Sequence, residues 1–488
     1  MTATMPPDLE APARRTAIGT LRSLVGIVVQ LAGGAVLSIY LPRALGPESY
    51  GLFAVAASVA LWVETVGCFP FSSGLAKLIA DAEDRWRPLA RTTVFWGVLS
   101  MGAVAVLNFA LAPTIAAALH DPGLTPYLRL FVLDYPFFVV FVLLGSILNG
   151  RRLYERRVLL VSAYWIGKPV LTVALVAAGL SIRGAVLASI GASVVAVVFG
   201  WRAGGVGRPR PATSLRPLWA FNWPLVIGLV FFQLSRSLDM WLVKTLLEDA
   251  RAPAYYAIAV NLHSVAFLLA TAVAMAAFPT IANAVREGNR TALLGLIGNS
   301  HRFVWILGLG MLAVFVPSAR AIVTFVFGPA YAPAALPASI LLGGVLALAT
   351  GSVATNALVA AGRPRVVLLV NPLAFVVSLA LYPLLIPRWG VGGAAAAAVA
   401  GFLAYALLSL RLQHRVLKAG FPGRMALRTL AAAAAVAVVG RLWPAAGAWT
   451  LLEAATLLGL YLGLLWALRE IGREDLAIVA RAFRLRRR

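Results

Sequence analysis

The sequence predicts an all-α polytopic membrane protein of about fourteen spanning helices, arranged as two related halves. Three observations predict it. The chain is 61% hydrophobic and 12% charged, with a mean hydropathy of +0.89, whereas a soluble globular protein carries about 25% charged residues. Apolar runs of about 20 residues, the length that crosses a bilayer, follow one another along the whole chain. The sequence also echoes itself. Tyr50-Gly-Leu-Phe-Ala-Val-Ala56 is loosely repeated as Tyr255-Tyr-Ala-Ile-Ala-Val-Asn261, Arg157-Val-Leu-Leu-Val161 as Arg365-Val-Val-Leu-Leu369, and Gly184-Ala185 as Gly392-Gly393, at offsets of 205, 208 and 208. The shared spacing argues for a duplicated unit, and a duplicated bundle of membrane helices is the signature of a transporter.

The expected spans are 16–40, 50–71, 89–112, 126–148, 158–180, 184–203, 218–247, 253–279, 300–326, 333–361, 366–386, 390–411, 425–443 and 448–468. Their even number puts both ends of the chain on one side. With the N-terminus taken as cytoplasmic, inside segments hold 29 of the 42 Lys and Arg residues and outside loops hold 5, a bias that sets the orientation. The same distribution accounts for the net charge of +24 without nucleic acid as a partner. The division is then a cytoplasmic tail (1–15), an N-lobe (16–203), a basic cytoplasmic linker (204–217), a C-lobe (218–411), two additional C-terminal helices (425–468) and a basic cytoplasmic tail (469–488). That last tail sits on anionic headgroups. Residues 72–88 read equally as a short interfacial helix, with Leu75, Leu78 and Ile79 opposite Asp81, Glu83 and Asp84, or as a solvated loop.

Charges within spans carry the functional argument, because each costs at least about 2.5–3.5 kcal/mol at the bilayer centre. The first span places Arg22, Gly26, Gln30 and Gly33 on one face, and small residues there allow close approach of a helix or ligand. The second carries Glu64. The fourth carries Asp134 on a face with Tyr127, Phe138, Gly145 and Asn149, lining a path or carrying a proton. The fifth carries Lys168; Glu64 either forms a structural bridge with Lys168 or Arg22 or shares a cavity with them. The seventh stacks Asn222, Gln233, Arg236, Met240 and Lys244 within about a quarter of the helix circumference. Arg236 and Asp239, three apart, either neutralise one another or face water, and Lys244 either snorkels at the outer end or lines the same space. The eighth carries Asn261 and His263; Asn222 and His263 are expected to hydrogen-bond between helices. Arg91, Arg129, Arg320 and Arg428 lie near span ends, within snorkelling distance of the headgroups.

No metal or disulfide chemistry is expected. Cys68 is the single cysteine, and the four histidines lie far apart without ligand spacing. Outside loops are short, and no phosphate-binding Gly-x-x-x-x-Gly-Lys or nucleophile-elbow Gly-x-Ser-x-Gly motif occurs. This argues against a membrane-embedded polysaccharide-assembly enzyme. A drug–cation antiporter calls for a carboxylate-dominated cavity, but bases at least match acids here. A non-transporting scaffold for polysaccharide assembly is a third alternative.

Specific segments resemble a known family. Leu41-Pro-Arg-Ala-Leu-Gly-Pro-Glu-Ser-Tyr-Gly-Leu-Phe-Ala54 resembles the link between the first two helices of polysaccharide transporters, the Wzx-type lipid-linked oligosaccharide flippases. Phe327-Gly-Pro-Ala-Tyr-Ala-Pro-Ala-Ala335 resembles their turn before the tenth helix, and Trp389-Gly-Val-Gly-Gly-Ala-Ala395 the Gly-rich start of their twelfth. The resemblance implies the MATE-like fold of the multidrug, oligosaccharidyl-lipid and polysaccharide exporter superfamily, with two six-helix lobes in a V about a cavity. It implies a substrate of undecaprenyl-pyrophosphate-linked oligosaccharide (O-antigen, exopolysaccharide or capsule repeat unit), moved by alternating access in the bacterial cytoplasmic membrane. No cofactor is implied, and coupling is to the membrane potential, H⁺ or Na⁺. The chain is expected to act as a monomer among membrane lipids, with polysaccharide polymerase and assembly proteins as further partners. Helices one, two, seven and eight line the cavity in such relatives, which nominates Arg22, Gln30, Glu64, Arg236, Lys244 and Asn261, joined by Lys168, as substrate-binding. Glu64, Asp134 and Asp239, which falls where relatives often place an acid, are the coupling candidates. The charges do not follow the repeat. At an offset of 205, Arg22 maps onto Ile227 and Arg236 onto Leu31, so a symmetric scaffold carries an asymmetric site.

Overall fold

The computed structural model describes residues 7–82, 85–443, 447 and 449–472, with side chains from Val25 onward apart from several in the seventh and eighth spans. Among the described residues every regular element is helical: α1 (Pro7–Ser72), α2 (Leu75–Asp81), α3 (Trp86–Ala118), α4 (Thr125–Phe131), α5 (Tyr135–Gly150), α6 (Tyr154–Leu175), α7 (Ser181–Gly204), α8 (Arg216–Leu246), α9 (Ala252–Arg286), α10 (Arg290–Phe327), α11 (Ala335–Ala360), α12 (Val367–Leu417), α13 (Gly423–Leu442) and α14 (Trp449–Ala467). Each of the fourteen expected spans falls on this set, and the chain is a multi-pass membrane protein. The correspondence is not one helix to one span, for a backbone reason. α1 holds two spans that meet at Gly46 (φ 71°), and α12 holds two that meet at Gly390 (φ 56°). A residue in the left-handed region turns the chain without a loop, and glycine enters that region freely. Among the described residues nine stretches, some of them holding two spans, are long and apolar enough to cross a membrane. A tenth is the pair α4–α5, bent by 46° at residues 132–134.

The chain forms two compact units, Met1–Thr245 and Leu246–Arg488. The first takes in α8, which the sequence division groups with the second half. α8 is tied there by four contacts: Asn222 Nδ2 donates to Pro70 O (2.6 Å), Trp241 Nε1 to Ser58 Oγ (3.0 Å), Lys244 Nζ pairs with Asp121 Oδ2 (2.6 Å), and His120 Nδ1 meets Thr245 O (3.1 Å). Elsewhere in this unit α1 packs on α6, and α5 lies against α3 and α7. Gly33 makes the first contact possible, since a Cβ there would overlap the Trp165 carbonyl. α2 buries Leu75 and Ile79 against α5, so the helical reading of 72–88 holds for Leu75–Asp81, while Glu83 and Asp84 lie outside the described residues.

In the second unit α11 packs against α9, α10 and α12. The two additional helices α13 and α14 close on α10 through Leu309, Val436, Leu457 and Tyr461, whose hydroxyl donates to Ile306 O at 3.0 Å.

Candidate functional site

The first unit contains a cavity of about 420 Å³, and it gathers polar side chains from four spans, three of them charged. α1 supplies Gln30 and Glu64, and the bend between α4 and α5 supplies Asp134. α6 supplies Lys168. The bend explains Asp134. It stands at the N-terminus of α5, caps nothing with its side chain, is 2% exposed, and leaves Oδ1 without a hydrogen-bond partner. Glu64 is 6% exposed. Among the described residues no ion pair within 4.0 Å joins Lys168 to either acid; the Lys168 ammonium donates instead to Tyr164 Oη (3.3 Å) and lies over that ring. The three charges therefore surround shared space and influence one another electrostatically without closing into a bridge.

Aromatic side chains build the rest of the wall. Phe141 and Tyr164 stack with centroids 4.6 Å apart, and Phe138 meets the edge of Tyr164 at 6.3 Å. Phe53, Phe131 and Trp165 complete it. Of these rings sequence reasoning placed only Phe138, on the Asp134 face, because aromatics are unremarked in apolar spans. The usable signal for Tyr164 was the α6 spacing: Arg157, Val161, Tyr164 and Lys168 recur at 4, 3 and 4 residues, one helix face.

The remaining sequence-nominated residues lie elsewhere. Lys244 is held by Asp121, with side-chain exposures of 10% and 22%, rather than lining this cavity. Arg236 is exposed on α8, and the carboxylate of half-buried Asp239 accepts from the Met240 N–H (2.8 Å). Asn261 is half-buried in the second unit. Arg22 lies in α1, its side chain outside those described. His263, as a helix-to-helix partner, reaches Leu341 O at 3.0 Å. Three arginines near span ends have protein contacts: Arg91 donates to Val206 O (2.8 Å), Arg129 lies over the Phe109 ring (4.8 Å) and Arg428 pairs with Glu470 (3.2 Å).

Comparison with known proteins agrees with this architecture. No curated protein matches the chain by sequence. Among solved structures it is similar to the lipid II flippase MurJ in an inward closed conformation (TM-score 0.74, 13% identity, 92% of this chain and 98% of that one). It is also similar to an inward-facing multidrug resistance MATE family transporter of the MOP superfamily (TM-score 0.69, 14% identity, 82% and 98%). A third is a MOP superfamily transporter from Pyrococcus furiosus whose binding pocket is described as of reverse polarity (TM-score 0.55, 15% identity, 83% and 96%). At these identities the likeness establishes the MATE-like fold. Residues 19–285, more than half of the chain, match the family described as polysaccharide biosynthesis protein, and the chain belongs to that family.

Proposed function

We propose that this protein moves a lipid-linked oligosaccharide, carried on undecaprenyl pyrophosphate, across the bacterial cytoplasmic membrane by alternating access, with both termini cytoplasmic. The observation that carries the reading is Lys168: an ammonium within a membrane-spanning bundle, facing a cavity and not ion-paired, in a member of a polysaccharide-biosynthesis family. A buried cation of this kind binds a diphosphate through charge-assisted hydrogen bonds, and aromatic walls suit sugar faces. The lipid tail stays in the bilayer while the sugars occupy the aqueous space. Arg22 and Arg236 are further cations for the headgroup.

Two ionised acids beside Lys168 oppose an incoming anion, so a proton on Glu64 or Asp134 favours binding. This is the basis for coupling transport to H⁺, with Na⁺ at the same acids, or at Asp239, as the second possibility. Outward movement of an anion from an inside-negative cell gains about 2.3 kcal/mol per charge per 100 mV, which drives export without ATP. The test is deletion of the gene followed by extraction of lipid-linked intermediates. Accumulation of complete lipid-linked oligosaccharide, reversed by the wild-type gene, is the expected result. Arrest before the oligosaccharide is complete would indicate an assembly enzyme instead, and a normal lipid pool would remove the proposal.

A further inference from the structure

The cavity has a neighbour. A second hollow of about 250 Å³ lies between α5 and α6, lined by Gly145, Ser146, Asn149 and Arg157, and it shares Phe141 and Val161 with the first. Its outer part is at the basic end of the unit. Three other arginines each donate once to a backbone carbonyl around the end of α7: Arg151 to Gly204 O, Arg156 to Ala203 O and Arg91 to Val206 O, each at 2.8 Å. Arg157 differs. Arg157 lines the hollow, and among the described residues its side chain has no hydrogen-bond or ion-pair partner; the Asn149 side chain is likewise unengaged. An arginine left with all its donors beside a polar amide is a site for an anion with several oxygens.

The geometry continues inward. Arg157 and Lys168 lie on one face of α6, eleven residues apart, about 16 Å along the axis and so about half the thickness of a bilayer's hydrocarbon core. Between them Phe141, which lines both hollows, stacks on Tyr164, which lines the first. We propose that Arg157 and Asn149 form a loading site for the diphosphate headgroup of a prenyl-linked lipid at the membrane's inner surface. From it the headgroup passes the Phe141–Tyr164 pair to Lys168. This rests on the transport reading above. A lipid headgroup fits better than a free anion, since the hollow lies between two spanning helices whose outward residues Phe137, Leu159 and Ile166 are exposed apolar side chains, able to hold the attached tail against lipid.

The test uses the full-length protein in lipid nanodiscs, with farnesyl diphosphate and inorganic pyrophosphate as probes and binding read by calorimetry. Flipping of a lipid-linked oligosaccharide is followed in parallel. Arg157→Gln is expected to weaken farnesyl diphosphate binding about tenfold or more, with Arg157→Lys in between because it keeps charge but loses the fork. Asn149→Leu, which leaves the arginine in place, is expected to weaken binding several-fold and guards against misfolding of the first variant. Pyrophosphate is expected to bind much more weakly than the prenyl probe. Unchanged affinity in Arg157→Gln and Asn149→Leu, with a wild type that binds and flips, overturns the loading site and leaves the transport reading intact. Equal affinity for pyrophosphate overturns the lipid assignment. A wild type that neither binds the prenyl probe nor flips the oligosaccharide overturns both readings.

Discussion

The interior of the first unit holds Glu64, Asp134 and Lys168 around open space; the second packs ring and aliphatic side chains and engages buried polar groups within that packing, Glu453 accepting from Ser318 Oγ (2.7 Å) and His301 Nε2 meeting Gln413 Oε1 (3.2 Å). In the second, His263 stacks on Phe267 (6.1 Å) and on Phe402 (5.5 Å). Ala266, Ala270, Leu342 and Val345 pack alongside in one cluster. At the repeat offsets, Glu64 corresponds to Leu269 and Lys168 to Val376. Both are apolar and more than half exposed, at 55% and 57%, as lipid-facing residues are. Duplication supplied two similar scaffolds, and at these repeat positions only the first carries charges, which cost energy in a membrane. A ligand with one anionic head needs one such site.

Several substitutions sharpen or break that contrast. The largest effect is expected from Lys168→Glu, which removes the cation and puts a third carboxylate in the cavity. Diphosphate-lipid binding should fall by a hundredfold or more, roughly the loss of one charge-assisted contact of about 3 kcal/mol, while the melting temperature stays close to wild type. In the second unit the reverse pattern is expected. His263→Ala removes two ring contacts and the hydrogen bond to Leu341, costing about 2–3 kcal/mol of stability, read as a lower melting temperature, while transport per folded molecule persists. Loss of binding with normal melting in that variant would undo the contrast. Glu64→Gln should strengthen anion binding about fivefold, roughly 1 kcal/mol of relieved repulsion at an intermediate dielectric, read by calorimetry with the same prenyl probe. The smallest effect concerns the two matching helix junctions. Ser181 (φ 46°, ψ −130°) adopts nearly the conformation of Gly390 (φ 56°, ψ −138°), a strained one for serine. Ser181→Gly should therefore stabilise by about 1 kcal/mol, and Gly390→Ser should do the opposite.

Much of the fold was legible because a run of about 20 apolar residues has few alternatives to crossing the bilayer. The repeat was legible for a related reason: Gly184 and its counterpart Gly392 follow the Ser181 and Gly390 junctions, where the turn restricts residue choice. The site was legible only in part. Gln30, Glu64, Asp134 and Lys168 stood out as polar atoms in lipid, and the structure brings these four together. What sequence did not supply was partnership across distance. Lys244 and Asp121 are 123 residues apart, and only folding shows that this cation is already paired. The emptiness around Lys168 depends likewise on how α1, α5 and α6 pack, which no local spacing encodes. Arg157 looked like one more residue of the positive-inside pattern, and its lack of a carbonyl acceptor is visible only beside Arg151 and Arg156.

The most direct test of a charged site confined to the first unit is the initial rate at which purified protein in proteoliposomes flips a fluorescent prenyl-diphosphate oligosaccharide, measured for wild type and Lys168→Met at equal protein density. A rate reduced about tenfold or more in the variant, with an unchanged melting temperature, is the predicted result. A wild-type rate in Lys168→Met would contradict the account.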